Sequence, residues 1–153
     1  MLLVWTLILA AVSQEMPSSS KARASEPLTT AEKSQLEREP NVEDRIRVYE
    51  AASSRIHRSI SNLILRQQFE DVGAEMRSWL DLLSEAQKDV EQNIRRKKKS
   101  KNLIRFEIHL RKAIGDLKER KLQVPADQQE DFESWLTRLE HVRKKFVDIL
   151  FGG

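Results

Sequence analysis

Between Val42 and Leu150 the apolar side chains recur three and four residues apart, and the whole chain has only four glycines and four prolines with which to interrupt them. That spacing puts them on one face of an α-helix, because a turn takes 3.6 residues. One stripe runs Val42, Ile46, Tyr49, Ala52, Ile56, Ile60 and Leu63. Continued in phase, it would carry Gln67, Glu70 and Arg77 into the core. Instead the apolar positions restart at Phe69 and continue through Val72, Met76, Leu80, Leu83, Ala86, Val90 and Ile94. The break at residues 66–68 predicts a tight turn, with no Gly or Pro to mark it. One unbroken helix over 42–94 would be roughly 80 Å long and could cover neither of its own faces.

Two more stripes follow. Leu103, Phe106, Leu110, Ile114 and Leu117 form the first, widened by Ile104 and Ile108, and its helix starts at Lys101 or Asn102. Phe132, Trp135, Leu136, Leu139, Val142, Phe146, Ile149 and Leu150 form the second. Pro125 suits a helix start, and Asp127 with Glu130 has capping-box spacing. Upstream, Asn41 suits an N-cap, with Glu43 and Asp44 favoured in the first turn by the helix dipole. A short helix over 30–39, capped by Thr29 or Thr30, ends before Pro40. Each long helix has one apolar face that must be covered. The expected fold is therefore all-α: an up-and-down bundle of about four amphipathic helices in two antiparallel hairpins, with a short N-terminal helix. Ser78, Trp79, Leu80, Leu83 and Lys88 also recur as Ser134, Trp135, Leu136, Leu139 and Lys144, an offset of 56 residues. Two related hairpins would give this pattern, and so would two helices of similar amphipathicity.

The N-terminus has a different character. Residues 2–12, LLVWTLILAAV, carry no charge. A membrane-spanning helix needs about 20 such residues, whereas this length suits the apolar part of a secretory signal peptide. Ala11 and Ser13 supply the small residues for cleavage. The expectation is a signal peptide over 1–13, a Ser- and Pro-containing linker over 14–28 and a helical domain over 29–153, in a protein exported to the periplasm or beyond. A buried N-terminal helix is the competing reading, because no Lys or Arg precedes the run.

Little in the chain promises catalysis. There is no cysteine, which excludes disulfides, thiol nucleophiles and thiolate zinc sites. The residues three before His57, His109 and His141 are Ser54, Phe106 and Arg138, so the Glu-x-x-His pattern of metal-binding bundles is missing. No glycine-rich phosphate loop and no Gly-x-Ser-x-Gly elbow occurs. No cofactor and no enzyme activity is expected, and Trp79 and Trp135 read as packing residues.

Charge is the informative feature. Residues 14–94 hold eleven basic and fifteen acidic side chains, whereas 95–101, RRKKKSK, hold six basic and none acidic. Residues 102–123 add six basic against three acidic, and 124–153 are net −2. The net charge of +3 thus comes entirely from 95–123. Arg95, Arg96, Lys97, Lys98, Lys99, Lys101 and Arg105 are the candidate anion-binding residues, within a wider basic region over 95–121. The same residues would also serve as a solvated linker complementing a helix C-terminus. Base-reading or stacking groups are lacking, so no specific nucleic-acid partner is expected.

Leu28, Thr29, Thr30, Ala31 and Glu32 resemble the Leu-Thr-x-x-Gln motif of small periplasmic helical chaperones and stress sensors of the Spy and CpxP type, with Glu32 in place of Gln. The stretches RIRVYEAASSRI (45–56), SWLDLLSEAQKDV (78–90) and DILFG (148–152) resemble exported bacterial all-helical proteins of unknown function. Those resemblances imply a helical fold and export, and they transfer no active site. Expected partners are a protein, a cell-envelope component, an anionic surface or a second copy of the chain.

Overall fold

The structure, a computed structural model, describes residues 26–95 and 99–152. The signal peptide expected over 1–13 and most of the linker expected over 14–28 lie outside the described residues. Five α-helices account for the fold: α1 (Thr30–Arg38), α2 (Val42–Leu65), α3 (Phe69–Asn93), α4 (Lys101–Arg120) and α5 (Gln129–Phe151). Two 3-10 turns, Lys121–Gln123 and Ala126–Gln128, link α4 to α5. The chain is an all-α bundle of two antiparallel hairpins with a short N-terminal helix, as the stripes predict.

The local reasons are visible at the helix ends. Thr29 accepts from the Glu32 amide at 3.2 Å, and the Glu32 carboxylate accepts from the Thr29 amide at 2.8 Å, which closes a capping box. Asn41 caps α2 through the Glu43 amide, and Ser100 caps α4 through the Leu103 amide. The turn between α2 and α3 falls at the phase break. Gln67 takes a positive φ of 58°, the amide of Gln68 donates to the Leu63 carbonyl, and that of Gln67 donates to the Ile64 carbonyl. This is a Schellman ending, built with glutamine where glycine is usual.

Two expectations need correction. Asp127 and Glu130 make no capping box: Asp127 sits in a 3-10 turn, and α5 starts at Gln129 without a side-chain cap. Gln129 instead donates to the Val124 carbonyl at 2.9 Å, which fixes the turn into α5. Leu28, placed at the end of the linker, is buried against the core. Its apolar side chain belongs to the folded domain, and Arg55 of α2 holds its neighbours through Glu32 and the Pro27 carbonyl.

The four long helices pack in the pairs α2–α3, α4–α5, α2–α4 and α3–α5. Within each hairpin neighbours run antiparallel. Between hairpins they run parallel: Ser100 meets Glu43, Arg105 meets Glu50, His109 meets Ser53 and Asp116 meets His57, each further along both helices. The start of α2 therefore meets both the end of α3, through Arg45 and Asp89, and the start of α4, through Glu43 and Ser100. The hairpins stack in the same sense, as two stacked copies of one helical-hairpin unit would.

Helices with two neighbours need wide apolar faces, so Leu82, Trp79 and Ala113 are buried beside the expected stripes. Trp79, Phe106, Phe132 and Phe146 are the bulkiest wholly buried side chains. At the open end of the first hairpin, Arg45 grips Asp89 with two bonds of 2.8 and 2.7 Å, and Tyr49 and Asn93 donate to the same carboxylate. Burial would raise the Asp89 pKa, but these donors outweigh it and hold the carboxyl below its usual range. Burial also pushes the Tyr49 phenol up, with the Asp89 charge adding to it.

Candidate functional site

The basic end of the bundle is where α3 stops, α4 begins and α5 finishes. Ile94 leaves the helix with an extended backbone, and Ser100 starts the next one. The Ser100 hydroxyl is buried and donates to Glu43 at 2.6 Å, while Asn102 donates to the Glu43 carbonyl at 2.9 Å. These bonds pin the start of α4 to the start of α2. Arg95, Lys99 and Lys101 emerge around that anchor, all exposed, and line an open cleft of about 820 Å³ whose opposite wall includes Pro40 and Asn41. Among the described residues, Arg95 and Lys101 make no ion pair. The Lys99 ammonium lies 5.1 Å from the centre of the Phe151 ring, a cation–π contact.

The other candidates divide. Arg96, Lys97 and Lys98 lie outside the described residues. Arg105 is not part of the cleft: it sits one turn up α4 and pairs with Glu50 at 2.8 Å. The wider basic region over 95–121 is not one surface either. At 1.5 Å per residue α4 is about 30 Å long, and some of the region's basic residues are paired locally. Arg120 pairs with Asp116 and Lys121 with Glu133, both at the far end. Lys118, Lys121 and Lys144 line a separate cleft of about 350 Å³ with Glu133, Glu140 and His141.

A polar seam between α2 and α4 escaped the sequence reading. The Trp79 indole donates to Ser53 Oγ at 2.8 Å, and Ser53 Oγ lies 3.2 Å from His109 Nε2. An indole N–H can only donate. Ser53 is thus free to pass its own hydrogen to His109, which suits a neutral imidazole. Burial, with the nearby His57 adding to it, pushes the His109 pKa down. Below it, His57 and Arg120 both bond to Asp116 Oδ2 at 3.0 Å, and Ser61 donates at 3.3 Å. The Arg120 hydrogen bond is the main force holding the Asp116 carboxyl below its usual range. Among the described residues, every buried side-chain nitrogen and oxygen has a partner.

A signal for the seam does exist in the chain. Its bonds join residues 55, 56 and 59 apart, and the internal similarity has an offset of 56. Phe151 was legible too, as an aromatic out of phase with Phe146, Ile149 and Leu150. Among the described residues no three His, Asp or Glu side chains converge as a metal would need, and no helix is long and apolar enough to cross a membrane. The residues that carry the likeness to periplasmic chaperones have local work here: Leu28 packs in the core, Thr29 caps α1, and Glu32 completes the capping box and pairs with Arg55. No protein-family model, curated protein or solved structure matches this chain.

Proposed function

We propose that this chain is an exported, non-enzymatic helical interaction protein whose contact surface is the basic end of the bundle, where it engages anionic groups. One observation carries the reading: Arg95, Lys99 and Lys101 are exposed around a single cleft, and Arg95 and Lys101 have no carboxylate partner among the described residues. Elsewhere on α4, Arg105 and Arg120 are paired with carboxylates, so their field is largely cancelled. A cluster of uncancelled cations raises the local concentration of anions and does so less at high salt.

Heparin, a soluble polyanion, tests the reading. Wild-type protein should bind it with an affinity that falls as salt rises. The variant R95Q/K99Q/K101Q should bind at least tenfold more weakly with an unchanged melting curve, since each exposed phosphate-like contact contributes on the order of 1 kcal/mol. Equal binding by the two proteins would overturn it. Export rests on the apolar run over 2–12. N-terminal sequencing of mature protein should begin near residue 14, and an intact Met1 would overturn that part alone.

A further inference from the structure

The basic end also carries an exposed aromatic side chain, and the two together define a more specific partner. Phe151 closes α5 at the same end as the start of α4, because the two helices are antiparallel. It is 63% exposed, while its neighbours Ile149 and Leu150 turn partly inward against the core. Helix α5 therefore finishes with its last apolar side chain pointing away from the bundle. Lys99 leans over that ring, so cation and aromatic share one spot on the surface.

We propose that this end of the bundle docks on an anionic lipid surface, with Arg95, Lys99 and Lys101 meeting the headgroups and Phe151 entering the interface. This rests on the reading of the basic end as an anion-binding surface and names its partner. The chemistry separates a membrane from a soluble polyanion. A soluble polyanion would use the cations and gain nothing from an exposed phenyl ring. A bilayer offers negative headgroups directly above an apolar layer, and an aromatic ring flanked by Lys or Arg matches both at once. The long Lys and Arg side chains can hold their charges at headgroup level while the ring goes deeper. The contact is peripheral, since no described helix can span a bilayer.

The test uses the full chain and two kinds of vesicle, phosphatidylcholine alone and phosphatidylcholine mixed with phosphatidylglycerol, with heparin as the soluble comparison. Co-sedimentation should show binding to the mixed vesicles that weakens with salt. Phe151→Ser should weaken vesicle binding by roughly tenfold, the worth of a partly buried phenyl ring, and leave heparin binding unchanged. R95Q/K99Q/K101Q should lose both, by roughly a hundredfold on vesicles. Thermal melts of both variants should match wild type, because all four side chains are exposed. Vesicle binding unchanged in Phe151→Ser overturns the proposal. So does binding to both kinds of vesicle that neither variant reduces, which would trace it to the apolar run over 2–12. Heparin binding without vesicle binding overturns the lipid assignment and leaves the anion-binding function standing. Loss of neither ligand in the triple variant sinks both.

Discussion

Two residues hold conformations or protonation states that cost the fold something. Gln67 sits at a φ of 58°. A Cβ crowds its own carbonyl there, at a cost of roughly 1 kcal/mol that glycine avoids. Gln67→Gly should stabilise the protein by about 0.5–1 kcal/mol, measured as a shift in the denaturation midpoint. A loss of stability would mean that the glutamine side chain, not the backbone, holds the turn. His109 costs the fold in acid. Its pKa is lowered by burial beside Ser53 and Phe106, with His57 and Glu50 the charged or titratable groups facing it. The unfolded chain therefore takes up a proton first, at about pH 6.5. Stability is level above that pH and falls as the pH drops toward the depressed folded value. His109→Gln should flatten the fall between pH 7 and pH 5, as followed by thermal melts. Asp89 acts only at lower pH: its stabilisation is full above the ordinary carboxylate range and is lost as the pH falls through its depressed value.

The helices themselves were legible because each long stripe has a single period. The α2–α3 turn was legible for the same reason, since a slip in phase shows even where no Gly or Pro does. What the stripes do not encode is the neighbour. Asp127 looked like a cap because spacing alone cannot tell a 3-10 turn from the first turn of a helix. The grouping of Arg95, Lys99 and Lys101 could be read because covalent proximity guarantees it. The removal of Arg105 from the group could not, because Glu50 lies 55 residues away. Two glycines show how the neighbour decides. A Cβ on Gly115 would meet nothing within 4 Å. Gly115→Ala should stabilise α4 by about 0.5–1 kcal/mol, the ordinary helix preference. A Cβ on Gly73 would lie 2.8 Å from the Trp135 ring of α5. There the crowding outweighs the same preference, and Gly73→Ala should destabilise by about 1 kcal/mol. Chemical denaturation of both variants checks the pair, and effects of the same sign would contradict the close approach of α3 and α5.

On the scale of the whole molecule, the chain order and the spatial order of the helices differ. Each hairpin closes over a short connection, three residues between α2 and α3 and eight between α4 and α5. Bonds of the seam between α2 and α4 instead join positions 55 to 59 apart. Distant pairs form later, because the entropy of a long loop must be lost before any contact compensates for it. The seam should be the last part to assemble and the first to open. Hydrogen exchange should then show two plateaus of protection, with amides of α2 facing α3 outlasting those near the seam. A single plateau over all four helices would contradict this. The parallel stacking of the hairpins thus has a consequence in time: acid that protonates His109 acts on the latest step of folding, and the molecule loosens as two intact halves before either half comes apart.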